Sequence, residues 1–344
     1  MQLDRRVMLA GLGASGAMLL LPNGVRASFV AECFAAARKD DRGGYSAALF
    51  DLESGDLRAV ELPGRGHDIT LKPDGSAWVA FARRPGRFGV AVPMDSRPPV
   101  WFAAKPDRHF FGHGVFSADG RLLYATENDY QNARGMEPHD IALLGDGRTM
   151  VIANGGIRTH PDSGATELNL PDMQPSLVYV DVETGDLLEE QKLAAELHQL
   201  SIRHLAFASG DVVVFGCQFR GPEDETPPLI GFHRRGDAPV IVPAPDETQS
   251  SLRNYIGSVT VDRSGGIVAA SAPKGGLVTY WDVAGKRYLG ASELSDGCGL
   301  APTHRSASFL LTSGEGWLAT AEPAGEMARQ LSSFLWDNHA ILVR

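Results

Sequence analysis

The sequence predicts an all-β chain folded as a seven-bladed β-propeller, with one blade cut short. Three observations carry this. Its 344 residues include 39 glycines and 21 prolines, a density of turn formers above the usual ~7% Gly and ~5% Pro. Asp-Gly pairs recur between two apolar runs, the strongest short hairpin signal. The step from Gly75 to Gly120 is 45 residues, the length of a four-stranded blade. In units of that size the chain after residue 27 holds about seven. A β-sandwich has no such period, and an α/β fold needs crossover helices that the sequence lacks.

In chain order, Arg5 and Arg6 precede an uncharged apolar stretch, residues 7–21, followed by Pro22-Asn23-Gly24 and Val25-Arg26-Ala27. This is a signal-peptide layout with cleavage expected after Ala27. The stretch is short for a membrane span, which needs about 20 apolar residues. Paired arginines before a Gly-rich, mildly hydrophobic core point to the twin-arginine route and a periplasmic product. The alternative is a buried N-terminal helix. Residues 1–27 are thus read as the signal and 28–344 as the propeller domain, with no membrane anchor after cleavage.

The body then repeats one unit: a His or small polar residue, an alternating run, an Asp-Gly turn and an apolar run. Full copies turn at Asp74-Gly75, Asp119-Gly120 and Asp146-Gly147, and weaker ones span residues 204–211 and 259–265. Asp-x-x-x-Gly at 51–55 and 181–185, with a shorter version at 282–285, marks the outer hairpins. The step from Gly120 to Gly147 is only 27 residues, so the blade near residues 130–137 is expected to be truncated. Residues 154–173 read as a long loop, of the kind that is commonly functional. Residues 192–200 look helical but are too short for a crossover. Residues 340–343 read as a last strand, expected to close the ring beside a strand at 45–51 and so remove exposed edges.

Net formal charge is −10 and the isoelectric point about 5.5. That argues against nucleic acid and anionic membrane surfaces as partners. Cys33, Cys217 and Cys298 are too few for a disulfide scaffold and are not spaced as a zinc site; Cys217 with Cys298 is the pairing to test first. There is no nucleophile elbow, phosphate loop or zinc-protease helix, and no Cys-x-x-Cys-His for covalent haem.

Several longer strings stand out: Arg65-Gly66-His67-Asp68, Phe111-Gly112-His113-Gly114, Thr126-Glu127-Asn128-Asp129-Tyr130, the segment Ala153 to Asp162, Gln199-Leu200-Ser201-Ile202-Arg203-His204-Leu205, Asp296-Gly297-Cys298-Gly299 and Trp336-Asp337-Asn338-His339. Together they resemble the domain-of-unknown-function family 1513 from about residue 44 to 339. The resemblance implies an exported seven-bladed propeller in the periplasm. It further implies a genetic neighbourhood of iron uptake, with imelysin-type and di-haem-oxidase-like proteins as candidate partners. It implies no reaction. The sequence departs from the family pattern between Asn132 and Glu137, where a strand and its turn are missing.

His67, His113, His139 and His204 lie eight, seven, eight and six residues before their turn glycines. Each therefore starts what should be an innermost strand, and those starts ring one mouth of the axial channel. Converging imidazoles suit copper, iron or non-covalent haem. Glu127 and Asp140 would add oxygen donors for ferric iron, with Asp68 and Asp129 beside them. The competing reading has each histidine bonding the main chain of the next blade. Arg158, His160 and Asp162 in the long loop, with Asn154, Arg203 and His339, form a second candidate group able to hold an anion or a carboxylate. Two other function classes stay open: a metal-dependent lactonase-like hydrolase using Glu127, Asn154 and Asp140, and a ligand-free propeller that docks proteins.

Overall fold

The computed structural model describes residues 32–128, 137–159 and 166–344; the expected signal peptide lies outside them. The first three strands are β1 (Cys33–Lys39), β2 (Tyr45–Asp51) and β3 (Gly55–Leu62). A second sheet holds β4 (Gly66–Leu71), β5 (Ala77–Ala82), β6 (Phe88–Pro93) and β7 (Val100–Ala103). Next comes a sheet of two strands, β8 (Phe110–Phe116) and β9 (Leu123–Glu127). Four-stranded sheets then follow: β10 (Pro138–Leu143), β11 (Thr149–Asn154), β12 (Ser176–Asp181), β13 (Leu187–Lys192); β14 (Leu200–Ala208), β15 (Val212–Phe219), β16 (Ile230–His233), β17 (Val240–Val242). The chain continues through β18 (Ser258–Val261), β19 (Ile267–Ala272), β20 (Leu277–Asp282), β21 (Arg287–Glu293), then β22 (Gly297–Pro302), β23 (Phe309–Ser313), β24 (Trp317–Ala321), β25 (Ala328–Leu331). Finally β26 (Leu335–Leu342) pairs antiparallel with β1 and completes the first sheet in the order β26-β1-β2-β3.

The fold is an all-β propeller, and the blade count corrects the sequence reading. Six blades are complete, not seven; the remaining sheet, β8 with β9, has two strands among the described residues. The shortfall falls where the 27-residue step puts it. Ring closure also differs in detail. The last strand was expected beside residues 45–51, but β1 stands between β26 and β2. That strand, Cys-Phe-Ala-Ala-Ala-Arg-Lys, is alanine-rich and carries little β propensity of its own; burial of its first six residues against both neighbours holds it.

Burial explains the strand sequences. Second strands such as β5, β19 and β23 are packed between adjacent sheets and are almost wholly buried, which is why they read as unbroken apolar runs. Fourth strands are the outer edge: β13 alternates in exposure and β25 is fully exposed. The predicted Asp-Gly turns form as drawn, with left-handed Gly75, Gly120 and Gly147 at a conformation that glycine adopts without strain, and Gly265 in the weaker copy is left-handed too. In the outer turns Asp51 accepts the N–H groups of Glu53 and Ser54, both at 2.8 Å, and Asp181 those of Glu183 and Thr184. Cys217 and Cys298 form no disulfide: they are buried in different blades, and the Cys298 thiol donates to the carbonyls of Trp336 and Asp337. No helix among the described residues is long and apolar enough to cross a membrane.

Candidate metal centre

Five innermost strands each bring one histidine to the axis: His67 on β4, His113 on β8, His139 on β10, His204 on β14 and His339 on β26. Local backbone geometry aims them there. The pairing of β4 with β5 slips between Gly66 and Ile69, that of β8 with β9 between Phe110 and Gly114, that of β10 with β11 between Pro138 and Asp140, and that of β14 with β15 between Ile202 and His204. Such bulges re-aim side chains, and here each falls at or beside a channel histidine. Gly112, with φ of +112°, lets β8 pass so close to His67 that a Cβ there would stand 2.3 Å from its Cδ2.

The rings pack against one another. Centroids are 4.7 Å apart for His67 and His339, 4.8 Å for His113 and His339, 4.9 Å for His204 and His339, and 5.0 Å for His139 and His204. Two trios, His67-His113-His139 and His113-His204-His339, each offer ring nitrogens that all lie within 4.8 Å of one another. Both sets are all-imidazole.

Hydrogen bonds sort the five by role. His113 Nδ1 lies 3.2 Å from Asp68 Oδ2 and 3.3 Å from Asp140 Oδ1; carboxylates only accept, so Nδ1 carries the proton and Nε2, which has no partner, presents its lone pair. This is the carboxylate-backed arrangement that orients metal-bound histidines. His339 Nδ1 is 3.3 Å from Ser258 Oγ, and its Nε2 has no partner; nor has Nδ1 of His204. His139 differs. Its Nδ1 is 3.2 Å from the Arg203 guanidinium, which can only donate, so the ring proton sits on Nε2 and that nitrogen is blocked for coordination. His67 Nδ1 stands 3.8 Å from Asp337 Oδ1, beyond hydrogen-bond reach.

Burial sets the protonation states. Desolvation lowers His67 to about 4 and, with the Arg203 charge and the neighbouring imidazoles, holds His139 well below the usual imidazole value. His204 and His339 are likewise held well down by burial and by the other rings. Burial would lower His113 too, but the carboxylates of Asp140 and Asp68 outweigh it and raise it. Asp140 is pushed up to about 6 by burial, with Asp68 adding to the rise and His113 opposing it. Of the four imidazoles held neutral at neutral pH, His67, His204 and His339 keep a ring nitrogen without a partner, whereas that of His139 is taken by Arg203.

The other sequence candidates fall elsewhere. Glu127 pairs with Arg108 at 3.3 Å and belongs to neither trio. Asp140 does not join them as a ligand; it supports His113 and accepts the Leu205 N–H at 2.8 Å. Asn154 is buried on β11 and donates to Ser176 at 3.2 Å, a structural contact within its sheet. Arg158 is exposed, and its N–H donates to Asn169 at 2.6 Å. His160, Asp162 and Asp129 lie outside the described residues. Arg203 is buried and joins Glu137 at 2.7 Å.

Missed by the sequence reading is a cavity of about 820 Å³ that opens beside His67, His139 and His204 and is lined by Arg83, Arg84 and Arg220 among others. Asp337, part of the Trp336-Asp337-Asn338-His339 string, lies beside His67: burial would raise it, but His67 and Arg65 outweigh that and hold it below the usual carboxylate value.

With this geometry in place, comparison with known proteins can be weighed. The family model for proteins of unknown function designated DUF1513 matches residues 60–136 and 131–343. The chain belongs to that family. The match falls in two pieces that meet at the truncated blade. No curated protein matches the sequence significantly. Among solved structures, the chain is similar to Kuenenia stuttgartiensis hydrazine synthase, with a TM-score of 0.58 at 12% identity over 83% of this chain and 89% of that one. It is also similar to apo AztD from Citrobacter koseri, with a TM-score of 0.55 at 10% identity over 90% and 98% of the two chains. At such identities the likeness shows the DUF1513 chain's propeller fold alone.

Proposed function

We propose that this protein is a periplasmic metal-handling protein that binds a transition-metal ion in the propeller channel on His113, His204 and His339, with His67 at its edge. One observation carries the reading: these three residues, placed within ligand distance of one another, each hold a buried ring nitrogen with no partner. An all-imidazole set favours copper and zinc, and ferrous over ferric iron, because hard ferric ions prefer oxygen donors and Glu127 and Asp140 are engaged elsewhere. Rings 4.7 to 5.0 Å apart leave no slot for a porphyrin between them. Three histidines with an open position also fit catalytic zinc, but Glu127, Asn154 and Asp140 each have other partners, which weakens the lactonase reading. The paired Arg5 and Arg6 support export by the twin-arginine route. An accessory role in iron uptake, beside imelysin-type and di-haem-oxidase-like partners, rests on the family resemblance.

The test is titration of chelator-treated protein with Cu(II), Zn(II) and Fe(II). One tight equivalent is expected, lost in His113→Ala/His339→Ala, whereas Asp140→Asn should keep the site and weaken it about 10- to 100-fold, the usual cost of losing such a supporting group. Equally weak binding by wild type and the double variant, at matched thermal stability, would sink the proposal.

A further inference from the structure

The cavity beside the histidines is positively charged although the chain carries a net −10. Arg83, Arg84, Arg87, Arg108, Arg203 and Arg220 line it, against three lining carboxylates, those of Asp107, Glu137 and Glu167; behind the lining, Asp337 stands 3.6 Å from Arg83 Nη1 and Glu127 3.3 Å from Arg108 Nη1. Glu137 serves two of the arginines at once, Arg84 at 2.6 Å and Arg203 at 2.7 Å. Arg220 donates to the neutral Gln218 at 2.7 Å, with Glu167 at 3.5 Å, and Arg87 donates to the Ala104 carbonyl at 3.0 Å. Guanidinium nitrogens are left over: Arg203 Nε and Arg220 Nε are buried without a hydrogen-bond partner. Arg203 is itself only 4% exposed.

A buried guanidinium is costly unless paired, and its natural complement is a carboxylate or phosphate that takes two parallel N–H bonds. The excess charge is spread over several arginines from separate loops and strands, so one monoatomic or single-centred anion cannot satisfy it. The cavity, about 820 Å³, is in the size range of small-molecule sites, ~300–1,000 Å³. Phe111, Ile157 and Tyr255 supply apolar wall between the charged groups.

We infer that this cavity is a binding site for a small organic acid bearing two or three carboxylates, held by the arginines and seated against the channel histidines. This occupancy does not depend on a metal.

The experiment is calorimetric titration of chelator-treated, full-length mature protein with citrate, benzene-1,3,5-tricarboxylate and inorganic phosphate. One tricarboxylate should bind at one equivalent, weakening ~10-fold as salt rises from low to physiological strength, and ~10-fold or more in Arg84→Gln or Arg220→Gln. Both variants keep the stem of the side chain, and their near-ultraviolet dichroism should match wild type. Failure of both tricarboxylates to bind, phosphate binding as tightly as either, or unchanged affinity in both folded variants would each overturn the assignment. Because metal is absent throughout, the result is read separately from the metal titration.

Discussion

Acidification from pH 7 to pH 5 should strip the metal-free protein of a large part of its stability. His67 is held neutral in the fold, with its proton affinity lowered to about 4, while in the unfolded chain it takes a proton near 6.5. The unfolded state therefore binds more protons in this window, and stability falls as pH drops from 6.5 towards 4. For His67 alone the loss between pH 7 and 5 is about 2 kcal/mol. His139, His204 and His339 are also held well below the usual imidazole value by burial and act in the same direction. His113 and Asp140 oppose them. Asp140, raised to about 6, takes its proton in the fold before it would in the unfolded chain and returns about 1 kcal/mol by pH 5. His67 and Asp140 alone leave a loss of about 1 kcal/mol, and the three further histidines add to it, against a typical total stability of about 5–15 kcal/mol. Carboxylates held below their usual values, such as Asp51 and Asp181, lose their contribution mainly below this window, so the histidines dominate it. Urea unfolding of chelator-treated protein at the two pH values, followed by tryptophan fluorescence, measures the difference, and His67→Gln should shrink it by about 2 kcal/mol. A wild-type difference under about 1 kcal/mol would refute the assigned protonation states.

Gly112→Ala should weaken metal binding by ~10-fold or more and lower the melting temperature, because the new Cβ meets the His67 ring and a non-glycine residue at that φ costs about 1–3 kcal/mol; unchanged affinity and melting temperature would contradict the close approach of β8 to His67. Arg5→Lys/Arg6→Lys should leave the protein in the cytoplasm, checked by cell fractionation, and undiminished periplasmic accumulation would exclude the twin-arginine route.

Much of the fold was legible because its hairpins are made by local chemistry. An Asp-Gly turn and an Asp-x-x-x-Gly turn need only their own residues, and the second strands announce themselves by apolar runs. Strands whose existence depends on distant partners were not legible. β1 is a string of alanines that becomes a strand because β26 arrives from the other end of the chain. β7 and β25, at the outer edge, are short and show no clean alternation of burial. The count of complete blades is six and not seven because the 27-residue step from Gly120 to Gly147 is too short for four strands and their turns, a shortfall that the spacing of the Asp-Gly turns made legible and that dividing length by a period did not.

The site shows the same division between local and global information. The histidines shared a phase in the repeat because each innermost strand enters the channel at its start, and His339 escaped the count because β26 belongs to the first blade and has no Asp-Gly turn after it. The arginine-lined cavity has no sequence period at all; its residues come from unrelated positions that only ring closure gathers. What separates binding from a purely structural role is where the imidazole hydrogen bonds go. His109, His198 and His233, outside the cluster, each have a main-chain carbonyl within bonding distance. None of the five channel histidines has such a bond from its side chain among the described residues, and four of them keep a buried nitrogen without any partner. Each such orphan costs about 1–3 kcal/mol, a penalty that apolar side chains filling the same channel would not incur. That several of these occur together, with carboxylates arranged behind one ring, is what supports the proposal that those nitrogens are filled from outside the chain.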